Sequence, residues 1–387
     1  MEFEFHTPTK VIFGRDTERR VGETVASYGY RRIMLVYGGG SVKRSGLYDR
    51  VAQSLAACGI EWVELSGVKP NPLLSLAKRG MELARESGSE LILALGGGSV
   101  IDTAKEIAVG ALDSGDHWDF ATKRREVTAA LPVGVILTLS AAGSEMSSSA
   151  VLTNEEDGSK RGYNTPFHRP LFAICNPELT YSVDRYQTAC GIVDILMHTL
   201  ERYFAPVADT PLTDALALAL CREVVRAGRV AYECPDDYDA RASLMWASSV
   251  SHNDLTGCGR FFAGTCHRLE HEMSAKYDVA HGAGLAVVFP AWAKYVLHLA
   301  PARFARFARE VFAVTETDDL AAAERGIEVL STFFRSIGMP LTMGELGIPE
   351  PDIEDMARRC SADGTASLRS YIDVGYAEML DIYRLML

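Results

Sequence analysis

The chain has 387 residues, more than one hydrophobic core usually spans, so two domains are expected. Its composition is 48% hydrophobic and 23% charged, which is typical of a folded globular protein rather than a disordered one. The net charge of −12 argues against nucleic acid or an anionic membrane as the main partner. No basic, apolar leader is visible at the start, and no apolar run approaches the roughly 20 residues that span a bilayer.

Cysteine usage bears on the compartment in which the protein works. The chain has eight cysteines, which are scattered and include no Cys-x-x-Cys pair. Without a secretory signal, this pattern is typical of buried thiols in a reducing compartment rather than of a disulfide framework. The sequence therefore predicts a cytoplasmic protein.

The first half of the chain alternates short apolar runs with helical patterns. The predicted strands are residues 33–37, 62–65, 91–95 and 133–137. Helical patterns continue to about residue 57 after the first strand, cover residues 75–86, and run to about residue 111 after the third. Strands separated by helices imply parallel βαβ units with right-handed crossovers.

The second half is helical in pattern, and strand-like alternation nearly disappears after about residue 181. The predicted helices are residues 187–203, 211–232, 240–253, 265–276, 285–298, 302–314 and 320–337. The sequence thus predicts an α/β domain over residues 1–183 and a helical domain over residues 184–387. A cleft between two such domains is a common place for a ligand.

Two Gly-Gly-Gly-Ser turns, at residues 38–41 and 96–99, each join a predicted strand to a predicted helix. Such a turn leaves free backbone N–H groups and a positive helix end, with no Cβ to block a phosphate. The spacing does not match the Gly-x-Gly-x-x-Gly fingerprint of Rossmann domains. A glycine-rich turn can also be only a tight connection, but two similar turns favour phosphate binding.

The first turn bears on the choice of nucleotide. Enzymes that select NAD often place a carboxylate after this strand, where it accepts hydrogen bonds from the ribose hydroxyls. Glycines occupy that place here, and Lys43 and Arg44 follow shortly. Small residues with nearby cations suit a 2′-phosphate and favour NADP(H) over NAD(H). The alternative is that both cations are only solvated residues at the start of a helix.

The helical half contains side chains with metal-ligand spacing. Asp194 and His198 are four residues apart, which on a helix places them on one face with Cβ atoms about 5–6 Å apart. His267 and His271 have the same spacing. These pairs predict a site for one divalent cation. The alternative, that the histidines are ordinary surface or core residues, is plausible for any one of them and weaker for the set.

His281 follows His267 by fourteen residues, a distance of roughly 21 Å along one continuous helix. Because metal–ligand bonds are only about 2.0–2.2 Å long, both histidines can bind one ion only if the chain turns back. Residues 277–284 contain the turn formers that this requires. His271 lies one turn beyond His267, so we expect it to line the site without binding the metal.

One competing motif lies in the same segment. Residues 267–271 fit His-x-x-Glu-His, the inverted zinc-peptidase pattern in which both histidines bind zinc and Glu270 acts as the base. That interpretation leaves Asp194, His198 and the two glycine turns unexplained. A zinc peptidase is therefore kept only as an alternative.

The order of these motifs resembles that of the iron-containing alcohol dehydrogenase family, in particular its NADP-linked butanol dehydrogenase and aldehyde reductase branch. The resemblance covers nearly the whole chain. Its motifs are residues 5–14, 37–43, 69–72, 96–102, 143–145, 191–194 with His198, and 267–275 leading to 280–282.

The resemblance implies a dehydroquinate synthase-like architecture, with an N-terminal dinucleotide-binding domain, an all-α metal-binding domain and an active site in the cleft. It implies four metal ligands, which are Asp194, His198, His267 and His281. Its cofactor positions fall on Gly38, Gly39 and Ser41 for the adenosine ribose; on Asn71, Gly97, Gly98, Ser99 and Asp102 for the pyrophosphate and nicotinamide; and on Thr138, Ser140, Ser147 and Lys160 around the nicotinamide ribose.

The implied activity is hydride transfer between NADP(H) and a short- to medium-chain primary alcohol or aldehyde, such as butanol or butanal. A divalent cation, Fe²⁺ or Zn²⁺, would polarise the substrate oxygen. His271 is our candidate for relaying the accompanying proton, with structural support of His267 as its alternative role. The resemblance also implies a homodimer with a small-molecule substrate. A non-catalytic nucleotide-binding homologue is the remaining alternative.

The sequence departs from the family pattern in two loops. Residues 259–266 lack the polar Asp-Trp-like stretch that is usual before the first histidine, and residues 140–145 replace a hydroxyl and a glycine. These departures concern substrate access and the surroundings of the nicotinamide. They leave the predicted metal ligands unchanged.

Overall fold

A computed structural model describes residues 2–207 and 210–387 of the chain. Residues 6–183 form one compact unit, and residues 184–387 form a second. The division falls between Val183 and Asp184. Residues 2–5, which the sequence assigns to the α/β domain, group instead with the second unit.

The α/β unit is built on a parallel sheet of six strands, in the order β1-β8-β5-β4-β2-β3. A separate antiparallel hairpin, β6–β7, also belongs to this unit, and a small hairpin, β9–β10, belongs to the helical unit. The strands are β1 (Lys10–Phe13), β2 (Arg32–Gly38), β3 (Glu61–Val68), β4 (Leu91–Gly96), β5 (Val133–Leu137), β6 (Ser149–Asn154), β7 (Ser159–Asn164), β8 (Phe172–Cys175), β9 (Leu368–Arg369) and β10 (Asp373–Val374).

Helices flank the sheet in the first unit and form most of the second. Those of the α/β unit are α1 (Val21–Ser27), α2 (Ser41–Arg44), α3 (Leu47–Ala57), α4 (Leu74–Ser87), α5 (Gly98–Ala111) and α6 (Trp118–Ala121). Those of the helical unit are α7 (Arg185–Tyr203), α8 (Pro211–Glu233), α9 (Tyr238–His252), α10 (Thr265–Tyr277), α11 (His281–Val296), α12 (Pro301–Phe312), α13 (Asp319–Ser336), α14 (Ile353–Cys360) and α15 (Tyr376–Arg384).

The predicted fold class is confirmed, two local predictions were wrong, and several strands were not predicted. The helix expected from the first glycine turn to residue 57 is two helices, α2 and α3, because Gly46 has a φ of 69°. The helix expected at residue 285 begins at His281. Strands β1 and β8 and hairpin β6–β7 were not predicted, since β1 and β8 have only four residues each and β7 is mostly polar.

The order of the strands determines where a nucleotide can bind. From β2 the chain crosses to β3 on one side, whereas from β4 it crosses to β5 on the other side, and β2 and β4 are neighbours. Ligands of open α/β sheets bind outside the carboxyl ends of strands at such a reversal. Both glycine turns follow these two strands, so the topology places them side by side.

The core of the helical unit surrounds α11. Residues 281–299, which include α11, are apolar and long enough to cross a bilayer, contrary to the expectation that no run is so long, but 78% of this segment is buried inside the protein. Burial among helices accounts for such a sequence in a core helix, where no polar face is needed. The helix therefore sets the position of His281, its first residue, through packing along its whole length.

Candidate metal centre and nucleotide site

Helix α7 provides two of the predicted metal ligands. Asp194 and His198 lie one turn apart on this helix, and their side chains are only 6% and 7% exposed. The His198 Nε2 atom is 3.4 Å from the Asp194 Oδ1 atom. Asp184 begins the helix by accepting a hydrogen bond from the Gln187 N–H, as an N-cap residue does. Asp194 and His198 therefore lie next to each other on one face of α7, as their spacing predicts.

The other two predicted ligands come from α10 and α11. Helix α10 ends at Tyr277, Asp278 adopts a left-handed conformation with a φ of 52°, and α11 begins at His281. The chain thus turns back between His267 and His281, as the short length of metal–ligand bonds requires. The turn is shorter than predicted, and Gly282 lies inside α11 rather than in the turn.

The structure brings the four side chains together. One potential ligand atom from each of Asp194, His267 and His281 lies within 4.8 Å of the other two. The Nε2 atoms of His267 and His281 are each 3.8 Å from the Asp194 Oδ1 atom. The ring of His198 lies 4.5 Å from that of His267, measured between centroids. Asp194, His267 and His281 therefore form one close group, and His198 lies beside it through its contact with Asp194. Three imidazoles and one carboxylate are ligands that Fe²⁺ and Zn²⁺ accept.

Two observations show that these residues suit a cation. The Asp194 Oδ1 and His267 Nε2 atoms are buried, and neither has a hydrogen-bond partner among the described residues. Burial acts to lower the pKa of His267, but the carboxylates of Glu201 and Asp194 outweigh it and raise that pKa to about 9. Burial instead holds the pKa of His198 well below its ordinary value. The site favours positive charge beside Asp194, which a divalent ion would supply.

Two buried glutamates lie behind the predicted ligands, and the sequence reasoning missed both roles. Glu201 Oε2 contacts His267 Nδ1, and Glu270 Oε2 contacts His281 Nδ1. Glu201 follows Asp194 by seven residues on α7, so the i, i+4, i+7 spacing with His198 was a signal that could have identified it. Glu270 had been considered only as the base of a peptidase, but its carboxylate is engaged by His281 and Ser274.

Two further histidines lie beside the ligand cluster. Glu270, His271 and His281 offer atoms within 4.8 Å of one another, so His271 borders the site next to His281. The ring of His252 on α9 stacks on that of His198, with centroids 4.0 Å apart, and was not identified from the sequence. The role of His271 as a proton relay stays a prediction.

The loop that departs from the family pattern places an aromatic ring next to the ligands. Phe262 is 38% exposed, and its ring centroid lies 5.3 Å from that of His267. The Arg202 guanidinium lies 4.7 Å from the Phe262 ring centroid, as in a cation–π contact. The loop therefore offers an apolar surface beside the predicted metal site, where relatives were expected to be more polar.

In the α/β unit, the two glycine turns differ in the helix that follows. The second turn leads into α5, a helix of 14 residues that begins at Gly98 and includes Ser99. The first turn, with Gly38, Gly39 and Ser41, leads into α2, which has only 4 residues. Because a helix dipole grows with aligned peptides, the second turn presents the stronger positive end to a pyrophosphate. The first turn offers a phosphate mainly its free backbone amides.

The β6–β7 hairpin brings Lys160 to Asn71. The Lys160 Nζ atom donates a hydrogen bond to Asn71 Oδ1 over 2.9 Å, although 89 residues separate them in sequence. The hairpin is held to this loop by the Thr153 N–H, which donates to the Pro72 carbonyl over 2.8 Å. Two predicted cofactor residues from distant parts of the chain therefore lie in contact.

The predicted residues Asp102 and Ser147 belong to one polar network centred on Lys105. The buried Lys105 Nζ donates to Ser144 Oγ over 2.8 Å and to Ser147 Oγ over 3.2 Å. Ser144 Oγ in turn donates to Asp102 Oδ1 over 2.6 Å. Burial lowers the pKa of Lys105 to about 8. Thr138 and Ser140 come just after the end of β5. The Thr138 N–H donates a hydrogen bond to the Gly96 carbonyl oxygen over 3.1 Å. The cofactor roles of these residues stay predictions.

Replacing Lys105 with methionine should destabilise the α/β unit. Lys105→Met keeps most of the volume but removes the donor from Ser144 and Ser147 and takes away the stronger of the two cations that act on Asp102. Loss of one partner from a buried charge network costs about 3–5 kcal/mol. Urea unfolding followed by circular dichroism measures this, with the exposed Lys10→Met as a control that should change the free energy of unfolding by less than about 0.5 kcal/mol. Equal stabilities of the two variants would contradict the prediction.

Lys43, which suggested NADP, is paired with a carboxylate. Its Nζ atom lies 3.8 Å from Glu64 Oε2 and over the rings of Tyr37 and Tyr48, at 5.1 and 4.7 Å from their centroids. Tyr37 Oη donates to Glu64 Oε2 over 2.5 Å. Glu64 lies on β3, the strand next to β2, and not in the turn that follows β2. A search for a carboxylate directly after β2 therefore could not identify it.

Comparisons with known proteins agree with this arrangement. Residues 8–177 match the model of the iron-containing alcohol dehydrogenases, and residues 188–387 match that of the C-terminal region of the Fe-containing alcohol dehydrogenase family. The chain is 39% identical to NADH-dependent butanol dehydrogenase A of Clostridium acetobutylicum, over 99% of each sequence. It is 32% identical to NADPH-dependent aldehyde reductase YqhD of Escherichia coli, over 96% of each.

Among solved structures, the chain resembles NADH-dependent butanol dehydrogenase A from Thermotoga maritima. The TM-score is 0.96 and the identity 39%, with 100% of this chain and 98% of that one covered. Both family models together span nearly all of the chain, and the predicted ligand residues fall in the second. The chain belongs to the iron-containing alcohol dehydrogenase family.

Proposed function

We propose that the protein reversibly oxidises short- to medium-chain primary alcohols such as butanol to their aldehydes, with a nicotinamide cofactor and one Fe²⁺ or Zn²⁺ ion. The close grouping of Asp194, His267 and His281, with His198 next to Asp194, carries this proposal. A bound divalent ion supplies Lewis-acid polarisation of an oxygen atom. Family membership and the butanol dehydrogenases among the relatives support the substrate class.

The chain's own residues define what the site must do. The ligand side chains hold the position at which a substrate oxygen would lie, and the glycine turns offer amides for the phosphates of the cofactor, so that the protein mainly positions the reactants of a direct hydride transfer. The exposed ring of Phe262 beside His267 offers apolar surface for an alkyl chain. We propose His271 as the group that relays the proton, because an imidazole titrates in the useful range.

The proposal is tested with purified protein loaded with Fe²⁺ or Zn²⁺. Oxidation of NADPH and NADH is followed with butanal, and elemental analysis gives the bound metal. We expect turnover of butanal that is lost on treatment with a chelator and restored by the metal. No turnover of butanal by either loaded form with either cofactor would refute the proposed activity, and cleavage of peptides would favour the zinc peptidase instead.

We propose further that the protein prefers NADP(H) to NAD(H). The absence of a carboxylate between Gly38 and Ser41 and the presence of Lys43 support this preference, as does similarity to the NADPH-dependent reductase of Escherichia coli. The pairing of Lys43 with Glu64 and the NADH-dependent relatives oppose it. The comparison of both cofactors with one aldehyde is therefore the deciding measurement.

Replacing Lys43 with alanine should reduce the use of NADPH selectively. An exposed ion pair with a phosphate is worth up to about 1 kcal/mol, so kcat/KM for NADPH should fall about fivefold, whereas that for NADH should change less than twofold. Lys10→Ala, which removes another exposed lysine of the same unit, is the control. An equal fall with both cofactors would show that Lys43 does not read the 2′-phosphate.

Location and assembly also remain proposals. All eight cysteines are free thiols in the structure, which supports the proposed cytoplasmic location, because reducing compartments keep thiols unpaired. We propose a homodimer on the basis of the family resemblance. Sedimentation equilibrium tests it, with an expected mass of about twice the 42.2 kDa of one chain.

A further inference from the structure

Two buried glutamates contact the two ligand histidines that come from α10 and α11. Glu201 is 2% exposed and Glu270 is fully buried. Each presents one carboxylate oxygen to the Nδ1 atom of a histidine, Glu201 to His267 and Glu270 to His281. Both rings direct their Nε2 atoms toward Asp194, at 3.8 Å from its Oδ1 atom in each case. The two histidines are therefore held in the same way.

This pairing determines which nitrogen of each neutral ring is favoured to carry the hydrogen. A carboxylate accepts hydrogen bonds, so it stabilises the imidazole tautomer with hydrogen on Nδ1 and leaves the Nε2 lone pair free. Only that lone pair can bind a metal ion next to Asp194. Carboxylates that accept from the second nitrogen of a ligand histidine also orient its ring and raise its basicity.

The Glu201 carboxylate also contacts the backbone at the start of α10. Its Oε1 atom accepts a hydrogen bond from the Cys266 N–H over 2.7 Å, and its Oε2 atom lies 3.4 Å from the His267 N atom. The first amides of a helix lack partners within the helix, and the N-cap residue Gly264 has no side chain to supply one. One carboxylate of α7 thus anchors both the backbone and the ring of His267.

Glu270 is held in place by its own neighbours. Its Oε1 atom accepts a hydrogen bond from the Ser274 hydroxyl, one turn later on α10. A Cβ atom at Gly284 on α11 would lie 2.7 Å from the Glu270 Cγ atom, so only glycine leaves room for this side chain. The two helices therefore pack closely enough for Glu270 to reach the His281 ring.

We propose that Glu201 and Glu270 are positioning residues that set the affinity of the site for its metal by holding His267 and His281 as Nε2 ligands. This rests on the metal site of the proposed function. Outer carboxylates of this kind change metal affinity by about 10- to 100-fold. The effect acts through the ligands, because each glutamate contacts the Nδ1 atom of a ligand ring.

The experiment compares Glu201→Gln and Glu270→Gln with the wild-type protein. Zn²⁺ is titrated against a competing chelator, and Co²⁺ is titrated while its visible absorption spectrum is recorded. Each variant should raise the Kd about 10- to 100-fold and alter the Co²⁺ spectrum. Glu272→Gln, which removes a glutamate of the same helix that pairs with Arg359, should change the Kd less than twofold.

The outcomes separate this inference from the proposed function. Wild-type protein that binds neither metal would refute the metal site itself, whereas variants with the wild-type Kd and spectrum would refute only the role of the glutamates. Glu201→Asp keeps the charge and should recover part of the affinity. If a variant does not fold, nitrogen NMR of histidine-labelled, Zn²⁺-loaded wild-type protein decides, because a metal bound to Nδ1 of His267 or His281 would overturn the inference.

Discussion

His267→Ala is expected to lose the bound metal and to lower kcat/KM for butanal by about a thousandfold. Removing this ring takes away one imidazole of the cluster and the partner of Glu201, which is 2% exposed. Polarisation of a substrate oxygen by a metal is worth several kcal/mol, and about 4 kcal/mol corresponds to a factor of a thousand in rate. The variant leaves the residues of the glycine turns unchanged, so we expect it still to bind the nicotinamide cofactor.

Elemental analysis and aldehyde-dependent NADPH oxidation check this result, and quenching of protein fluorescence by NADPH checks cofactor binding. The control is His298→Ala, which removes an exposed histidine of the same unit. Because Glu201 is left buried without its ring, some loss of stability is also expected. Asp194→Asn therefore provides a second variant that keeps the volume of the side chain. Retention of both metal and activity in His267→Ala would contradict the assignment of this ligand.

Gly282→Ala is expected to displace His281 and to weaken metal binding, although it adds only one methyl group. A Cβ atom at this position would lie 2.1 Å from the Cys190 carbonyl oxygen on α7. Neither group can rotate away, since both belong to the backbone framework, so α11 must move relative to α7. His281 immediately precedes Gly282 on α11, and Asp194 lies one turn after Cys190 on α7. The clash therefore acts directly on the distance between two predicted ligands.

Two opposing contributions to the free energy of unfolding determine whether Gly282→Ala is more or less stable than the wild-type protein. Alanine is favoured over glycine inside a helix by about 1 kcal/mol. Overpacking against an immovable group costs up to about 3 kcal/mol, so we expect a net loss of about 2 kcal/mol in the free energy of unfolding. A displacement near 1 Å at the site can lower kcat about 100-fold.

Thermal unfolding and the Zn²⁺ competition assay measure both consequences of Gly282→Ala. Gly344→Ala is the matched control, since a Cβ atom there would meet nothing closer than 3.8 Å. The control should unfold at the wild-type temperature and bind Zn²⁺ with the wild-type Kd. An unchanged Zn²⁺ affinity in Gly282→Ala would show that the contact between α7 and α11 does not position His281.

Much of the candidate site follows from local rules that operate within one element of secondary structure. Asp194 and His198 are neighbours because residues four apart share a helical face, and the structure retains this pair on α7. The glycine turns occur where an apolar run changes to a helical pattern, and β2 and β4 end there. The need for a turn between His267 and His281 followed from bond lengths alone.

Other features depended on contacts between residues far apart in sequence. Lys160 reaches Asn71 across 89 residues through a hairpin that the sequence pattern did not reveal, and Glu64 reaches Lys43 from a neighbouring strand. Glu270 fitted a peptidase motif in the sequence, yet its packing against Gly284 directs it to His281. No pattern within one element specifies such partners, because packing between elements selects them.

By itself, the sequence determined the fold class, the helical pair Asp194 and His198 and the two turns, since each depends on spacing that a single strand or helix converts into geometry. The tertiary structure decided that β2 and β4 are neighbours with opposite crossovers, so that the two turns meet at one edge of the sheet. It also decided that Glu201 and Glu270 contact the Nδ1 atoms of His267 and His281, two of the predicted ligands. Those positions arise from the packing of α7, α10 and α11, whose contacting residues are far apart in sequence; Asp194 and His281, for example, are 87 positions apart.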